Sequence, residues 1–444
     1  VTAGAKAQVT FQKERDGVAV NEKARVGRLI LAFAIGIVGC LVLIDLWARP
    51  DLYQGDLRAY YYAGKAFASG QDPYSPGVLS SLAGTPILNG FVYPPITLPA
   101  FRLLSELPYP AMYHFMLVAK VLLLVLLFTI WSREFLLGLP LSFILFAGLA
   151  FNASVYVDLR VGNLSIMEQA AIWLGFSFFL RKRLVPYALL ILLVSLLKIT
   201  PILLLLLILF SEDSRRGVYF GVSLALFVGL QLVSLALAPG LFRGFLMASS
   251  SLKDHGVVNP STFGFIQQSL DTLKGHVAGS VIDAASMAIY AVLSAGVALI
   301  THRAMRSLSD LPLRRKLMLS ICLFCLTYGL IVPRFKTYSY IIVLAPGYFV
   351  LIQFGKHLLL GHRGSALRKW LPLVAVGVLS SIYALAHGTT TVESSFLGYT
   401  PLLALAILWV LLTTGIGIHE RGWLHSRIQE HSESGPRAVM GSTG

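Results

Sequence analysis

Eleven stretches of the chain carry apolar residues with few interruptions, near 29–47, 111–131, 140–157, 164–180, 184–210, 217–238, 280–301, 317–332, 338–355, 370–388 and 400–418. Most suit one helix across a hydrocarbon core of about 30 Å. Short clusters of lysine and arginine separate them, as a topology signal would. The pattern predicts an all-α, polytopic membrane protein.

The basic clusters orient the spans. The first 28 residues hold Lys6, Lys13, Arg15, Lys23, Arg25 and Arg28, with no short apolar run ending at a cleavage site, so they read as a cytoplasmic tail and not as a signal peptide. The first span then places residues 48–110 outside. The second returns to Arg133, the third exits near Asp158-Leu-Arg160, and the fourth ends inside at Arg181-Lys182-Arg183.

The run from Leu184 to Phe210, "LVPYALLILLVSLLKITPILLLLLILF", breaks this parity. Crossing once, it would put Arg215-Arg216, Arg314-Arg315-Lys316 and Arg368-Lys369 all outside. Lys198 and Pro201 suggest a different path. Proline interrupts a helix, and a lysine at mid-bilayer costs about 2.5–3.5 kcal/mol. Two short helices, 184–196 and 199–210, turning at Lys198 would each rise about 18 Å, too little to cross. Such a re-entrant hairpin must be sheltered by protein or line a wet cavity. A single proline-kinked crossing is the alternative. With the hairpin the later charges fall inside, giving ten crossings and about 12 helical segments. The expected layout is a tail over 1–28, one integral-membrane domain over 29–418 and a cytoplasmic tail over 419–444.

Composition supports this class and narrows the partners. Of 444 residues, 56% are hydrophobic and 13% charged, against about 25% charged in soluble domains. Mean hydropathy is +0.74. The net charge of +15 would suit nucleic acid, but its dispersal between apolar runs argues against that and is compatible with anionic lipid head groups. Cys40, Cys322 and Cys325 all fall within apolar runs, where they read as core residues despite the C-x-x-C spacing.

Candidate chemistry lies in the external loops 48–110 and 239–280, long for loops without function. Residues 56–69 read as a helix, with further amphipathic stretches at 241–253 and 262–274. On the first helix Asp56, Tyr60 and Phe67 share one side, while Arg58, Tyr62 and Lys65 share another. A carboxylate beside cations suits removal of a proton from a hydroxyl while fixed positive charge holds a phosphate. The simpler reading makes Asp56 a helix cap and lets Arg58 and Lys65 reach lipid head groups. Lys198 is a costly buried cation beside a proline break. Arg334 and Lys336, in "VPRFKTYSY", sit at an outer turn against the positive-inside trend, as phosphate contacts or solvated loop residues. Arg160 and Asn163 flank the entry to the fourth span, where Asn163 also reads as an N-cap. Glu168 is an intramembrane carboxylate whose candidate partners are Arg160 and Lys120. His255, His276 and His387 lack metal-ligand spacing, and only the closeness of Asp51 to Asp56 keeps a metal in question. P-loop, G-x-S-x-G, H-E-x-x-H and nucleotide-binding fingerprints are absent, which argues against ATP-driven transport, and no cofactor is expected.

"GDLRAYYYAGKAFASGQDPY", followed by "FVYPP", resembles the first external loop of glycosyltransferase family 87. "RVGNLSIMEQAAIWLG" and "LLKITPILLLLLILF" resemble that family's middle segments. The similarity spans most of 50–210 and fades towards the C-terminus. It implies a GT-C superfold and a polyprenyl-phosphate sugar donor, most often mannose. The acceptor would be a glycolipid or glycan, and the site would face outside the cytoplasm of the inner (plasma) membrane. It further implies Asp56 as general base in an inverting transfer, and Lys198 at the donor phosphate. Two departures stand out: Val161 where the family often has Gln, and no histidine within "PRFKTYSY". A flippase for a lipid-linked saccharide and a non-catalytic scaffold are the competing readings.

Overall fold

The computed structural model describes residues 26–27, 29–50, 54–87, 89–136, 138–251, 254–273, 277–359, 374–381 and 396–418. The tail 419–444, all of the tail 1–28 but residues 26–27, Asp51, His276, His387 and most of the expected span 370–388 lie outside them. All regular structure among the described residues is helical.

The chain begins with α1 (Leu29–Ala48), an apolar helix exposed along nearly all its length. The loop that follows folds into α2 (Gly55–Ala68), α3 (Pro76–Ala83) and α4 (Leu98–Ser105). α2 and α4 pack backbone to backbone at Gly64, where a β-carbon would lie 2.3 Å from the Phe101 carbonyl oxygen. α5 (Tyr109–Ile130) runs on through a π-helical turn to Phe135, and α6 (Leu141–Val161) and α7 (Ser165–Leu180) follow. α7 is central, packed on α5 and on later helices, with Trp173 fully buried edge-on to Trp131 and Phe135.

The run that disturbed the charge parity folds back on itself. α8 (Leu184–Leu197) ends where Lys198 turns extended, and residues Thr200–Phe210 form a 3-10 helix with Pro201 in its first turn. The Tyr187 hydroxyl donates to the Leu204 carbonyl. On one continuous helix those residues would stand about 25 Å apart. Lys198 is the turn of a helical hairpin, because extended backbone there and a proline without an N–H both end an α-helix.

Next come α9 (Arg216–Leu237), α10 (Pro239–Ser250), α11 (Thr262–Asp271), α12 (Gly279–Arg306), α13 (Leu313–Ile331) and α14 (Ile341–Leu359), a short helical stretch at 374–379, and α15 (Thr400–Ile418). Among the described residues six helices are long and apolar enough to cross a membrane: α1, α5 with its π-helical turn, α6, α9, α12, and α15 with the turn before it. The protein is therefore a multi-pass membrane protein. The expected ten crossings are not all met by full-length helices. α7 has 16 residues, a rise of about 24 Å, and α13 opens on Arg314, Arg315 and Lys316.

α6 holds a break that the apolar pattern does not reveal. Phe151, Asn152 and Ala153 are all left-handed, with φ near +54°, +56° and +52°. The amides thus freed from the helix are met from far along the chain. Phe151 N donates to Ser380 Oγ (2.9 Å), Asn152 N donates to the Ser380 carbonyl (3.0 Å), and the Ser381 hydroxyl donates to the Leu149 carbonyl.

Candidate active site

Asp56, in the first turn of α2, is met by the loop before α4 at Asn89 and by the turn between α6 and α7 at Asn163, and the apex of the hairpin joins through Asn163. Asp56 does not cap its helix. The N-cap is Gln54, and no side-chain cap bond is made there. Both carboxylate oxygens instead accept side-chain amides, Oδ1 from Asn89 Nδ2 at 2.6 Å and Oδ2 from Asn163 Nδ2 at 2.8 Å. Asp56 stays 8% exposed, so the carboxylate is held without being sealed.

Asn163 is the hub. Its Nδ2 also donates to the Tyr60 hydroxyl at 3.0 Å, and its Oδ1 accepts from Ser165 Oγ at 3.0 Å and Lys198 Nζ at 3.4 Å. A carboxylate only accepts and an ammonium only donates, so the amide has one consistent orientation, with nitrogen toward Asp56 and oxygen toward Lys198. Lys198 Nζ further donates to Ser165 Oγ (3.2 Å) and Glu168 Oε2 (2.9 Å), and lies 5.3 Å from the centre of the Tyr338 ring. Base candidate and cation are thus joined through a single side-chain amide.

Tyr60 and Tyr93 form the wall of this site, hydroxyl to hydroxyl at 3.1 Å. Burial, with Tyr93 and Asp56 beside it, pushes the Tyr60 hydroxyl well above the ordinary tyrosine range. Burial and the nearby Glu168 do the same to Tyr93. Both stay protonated through neutral pH.

The turn that carries Asn163 depends on Gly162. Its φ is +76°, and a β-carbon there would lie 2.8 Å from the β-carbons of both Gln54 and Leu57. Glycine provides the left-handed conformation and lets α2 approach.

The remaining sequence candidates do not join this hydrogen-bond network. Arg58 donates to Thr85. Tyr62 is half-buried, edge-on to Tyr61. Lys65 sits nine residues along α2 from Asp56, half a turn round, with its ammonium 4.8 Å from the centre of the Tyr61 ring. It lines a separate open cleft of about 400 Å³ with Arg102 and Glu106. Arg160 is exposed, and its carbonyl accepts from Gln54 N at 2.7 Å. Arg334 and Lys336 both pair with Asp254, Lys336 Nζ at 3.2 Å. Burial pushes the Asp254 carboxyl up, but Lys336 and Arg334 pull it down further, leaving it below the usual carboxylate range. Glu168 pairs with Lys198, not with Arg160 or Lys120. Among the described residues no cluster of three or more His, Cys, Asp or Glu is placed to hold a metal ion.

Asn89, Tyr93, Ser165 and Tyr338 join the site without having been singled out in the sequence. Tyr93 stood in the quoted "FVYPP" and Ser165 in "RVGNLS", so motif membership was the available signal for both. Asn89 had none.

Helices that cross a membrane and a carboxylate-amide-cation network at their rim define a multi-pass membrane protein with a polar site. Residues 91–333, more than half of the chain, match glycosyltransferase family 87, and the protein belongs to that family. No curated protein and no solved structure is similar enough to match. The protein is a membrane glycosyltransferase, acting between a sugar donor and an acceptor. Asp56 and Asn89 precede the matched residues, while Asn163, Glu168 and Lys198 fall within them.

Proposed function

We propose that the protein transfers a sugar, mannose in the first instance, from a polyprenyl-phosphate donor to an acceptor hydroxyl, with inversion, on the extracytoplasmic side of the plasma membrane. The observation that carries the reading is the Asp56–Asn163–Lys198 network. Asp56 takes the proton of the acceptor hydroxyl as its oxygen bonds to the anomeric carbon. The bond from that carbon to the phosphate oxygen breaks, its electron pair leaves on the phosphate, and Lys198 stabilises that charge. A β-linked donor then yields an α-linked product.

Charge supports a singly charged phosphodiester donor, whose leaving group is a phosphate monoester. Among the described residues Lys198 is the cation of this network and is itself paired with Glu168, while Arg58, Arg334 and Lys336 are engaged elsewhere. A pyrophosphate would ask for more positive charge than the site gathers. The Tyr60 and Tyr93 hydroxyls beside Asp56 are protonated, so the wall of the site adds no negative charge. GT-C architecture is part of this same reading.

The test is transfer from polyprenyl-phosphate mannose by purified protein, with membrane lipid extract as acceptor. Asp56→Asn keeps the shape but cannot take a proton, and should lower kcat on the order of 10²–10⁴-fold in folded protein. Lys198→Met should raise the KM for donor. Near-wild-type transfer by Asp56→Asn would remove the general base. Sugar moved across liposomes with no new glycosidic bond would make the protein a flippase.

A further inference from the structure

An ion pair away from Asp56 is completely enclosed. Lys120 of α5 and Asp158 of α6 meet at 2.9 Å (Nζ to Oδ1), with side chains 1% and 0% exposed. Neither touches the Asp56 carboxylate. Such a pair adds little net stability over apolar residues of the same volume, because removing two charges from water offsets their attraction. Its presence calls for another role, and its hydrogen bonds supply one.

Asp158 grips both ends of the turn that carries Asn163. Its carbonyl accepts from Gly162 N at 3.1 Å, and its Oδ2 accepts from Ser165 N at 3.0 Å. Lys120 Nζ donates to that same carbonyl at 3.0 Å, so the ammonium fixes the main chain and the side chain of Asp158 together. Ser165, placed by this grip, donates to Asn163 Oδ1 and aims the amide at Asp56. The next two carbonyls hold the other partner. Leu159 O accepts from Gln54 Nε2 (3.2 Å) and Arg160 O accepts from Gln54 N (2.7 Å), which anchors the start of α2 immediately before Asp56. One stretch, 158–160, therefore sets the base and its orienting amide relative to each other.

We infer that Lys120 and Asp158 are positioning residues for the transfer reaction, acting through the Gly162–Ser165 turn on Asn163 and so on Asp56. The inference rests on the function proposed above. An ångström of misplacement at a reacting group costs on the order of 10²-fold in rate. Loosening the turn should therefore lower kcat by roughly 10–100-fold while the KM for donor stays within about threefold.

The experiment is a double-mutant cycle of Asp158→Asn with Asn163→Ala in purified full-length protein, measuring transfer from polyprenyl-phosphate mannose per folded molecule. Lys120→Met/Asp158→Asn is run beside it, since it leaves no unpaired buried charge and guards against misfolding. If Asp158 acts through Asn163, its substitution lowers the rate of wild type but adds almost nothing in the Asn163→Ala background. Losses that multiply, or losses that vanish once normalised to folded protein, overturn the inference and leave the pair a structural one. Hydrogen exchange gives a readout independent of activity. The Ser165 amide should lose protection in Asp158→Asn, and unchanged protection there would also overturn the inference. If wild type itself forms no glycosidic bond, the proposed function fails, while the exchange measurement still decides whether Asp158 holds the turn.

Discussion

Replacing Gly162 by alanine tests the geometry on which the site rests. Two separate costs apply. A non-glycine residue in the left-handed region costs about 1–2 kcal/mol. The new β-carbon would also sit 2.8 Å from Gln54 and Leu57. Both neighbours belong to the end of α2 that carries Asp56, and the atoms they present are rigid β-carbons. Relief requires α2 to move away by roughly half an ångström or more, and overpacking of this kind costs about 1–3 kcal/mol. The sum is about 2–5 kcal/mol of stability, and the movement shifts the end of α2 that carries Asp56 against the turn that carries Asn163. Gly84 separates the two costs, since its φ is +64° and a β-carbon there meets nothing within 4 Å. Gly84→Ala should therefore lose only the conformational part, about 1–2 kcal/mol, and keep its transfer rate. The assay is thermal denaturation in detergent, followed by size exclusion, with transfer measured on the folded fraction. Gly162→Ala should be the less stable of the two and slower on the order of 10²-fold. Equal stability of the two variants with an unchanged rate for Gly162→Ala would refute the crowded turn.

Other outcomes follow from other parts of the fold. Asp254 is held below the usual carboxylate pKa by Lys336 and Arg334 despite its burial, so its stabilising effect is complete above the unfolded value of about 4 and fades as pH falls through the lower folded value. The stability gap between wild type and Asp254→Asn should be constant near neutral pH and narrow below about pH 4; a constant gap down to pH 3 would contradict this. Ser380→Ala orphans the Phe151 amide in a buried place and should cost about 1–3 kcal/mol in thermal or denaturant unfolding, with no change meaning that another acceptor steps in. A cysteine at the exposed Ser214 should be labelled from the side of the N-terminal tail, and labelling from the opposite side only would remove the proposed topology.

The spans were legible because lipid demands long apolar runs, and ten of the eleven runs became helices among the described residues. The hairpin was legible for a local reason, a lysine and a proline within four residues of an otherwise unbroken run. The α6 break was not. Phe151 and Ala153 carry no bias toward left-handed backbone, and the groups that stabilise it lie some 230 residues away. The site divided along the same line. Asp56 stood out as a carboxylate in a cationic loop, and Asn163 and Lys198 as polar residues at breaks. Which residues meet Asp56 was hidden by separations of 33 residues to Asn89 and 107 to Asn163. Helix-face arithmetic set Lys65 apart from Asp56. The pairing of Arg334 and Lys336 with Asp254 needed the fold, because it joins two loops 80 residues apart.

The break in α6 ties early chain to late chain. During synthesis α6 emerges long before Ser380 and Ser381 exist, and its freed amides can find no solvent partner in hydrocarbon. The nascent protein must therefore carry that segment unfinished, sheltered or straightened into a continuous helix, until nearly the whole chain has been made. The stretch that matches the family, residues 91–333, contains the break but not the serines that complete it. Cut out at those boundaries, it would lack the acceptors for two of its own backbone donors. The stretch that matches the family model is thus smaller than the unit that folds.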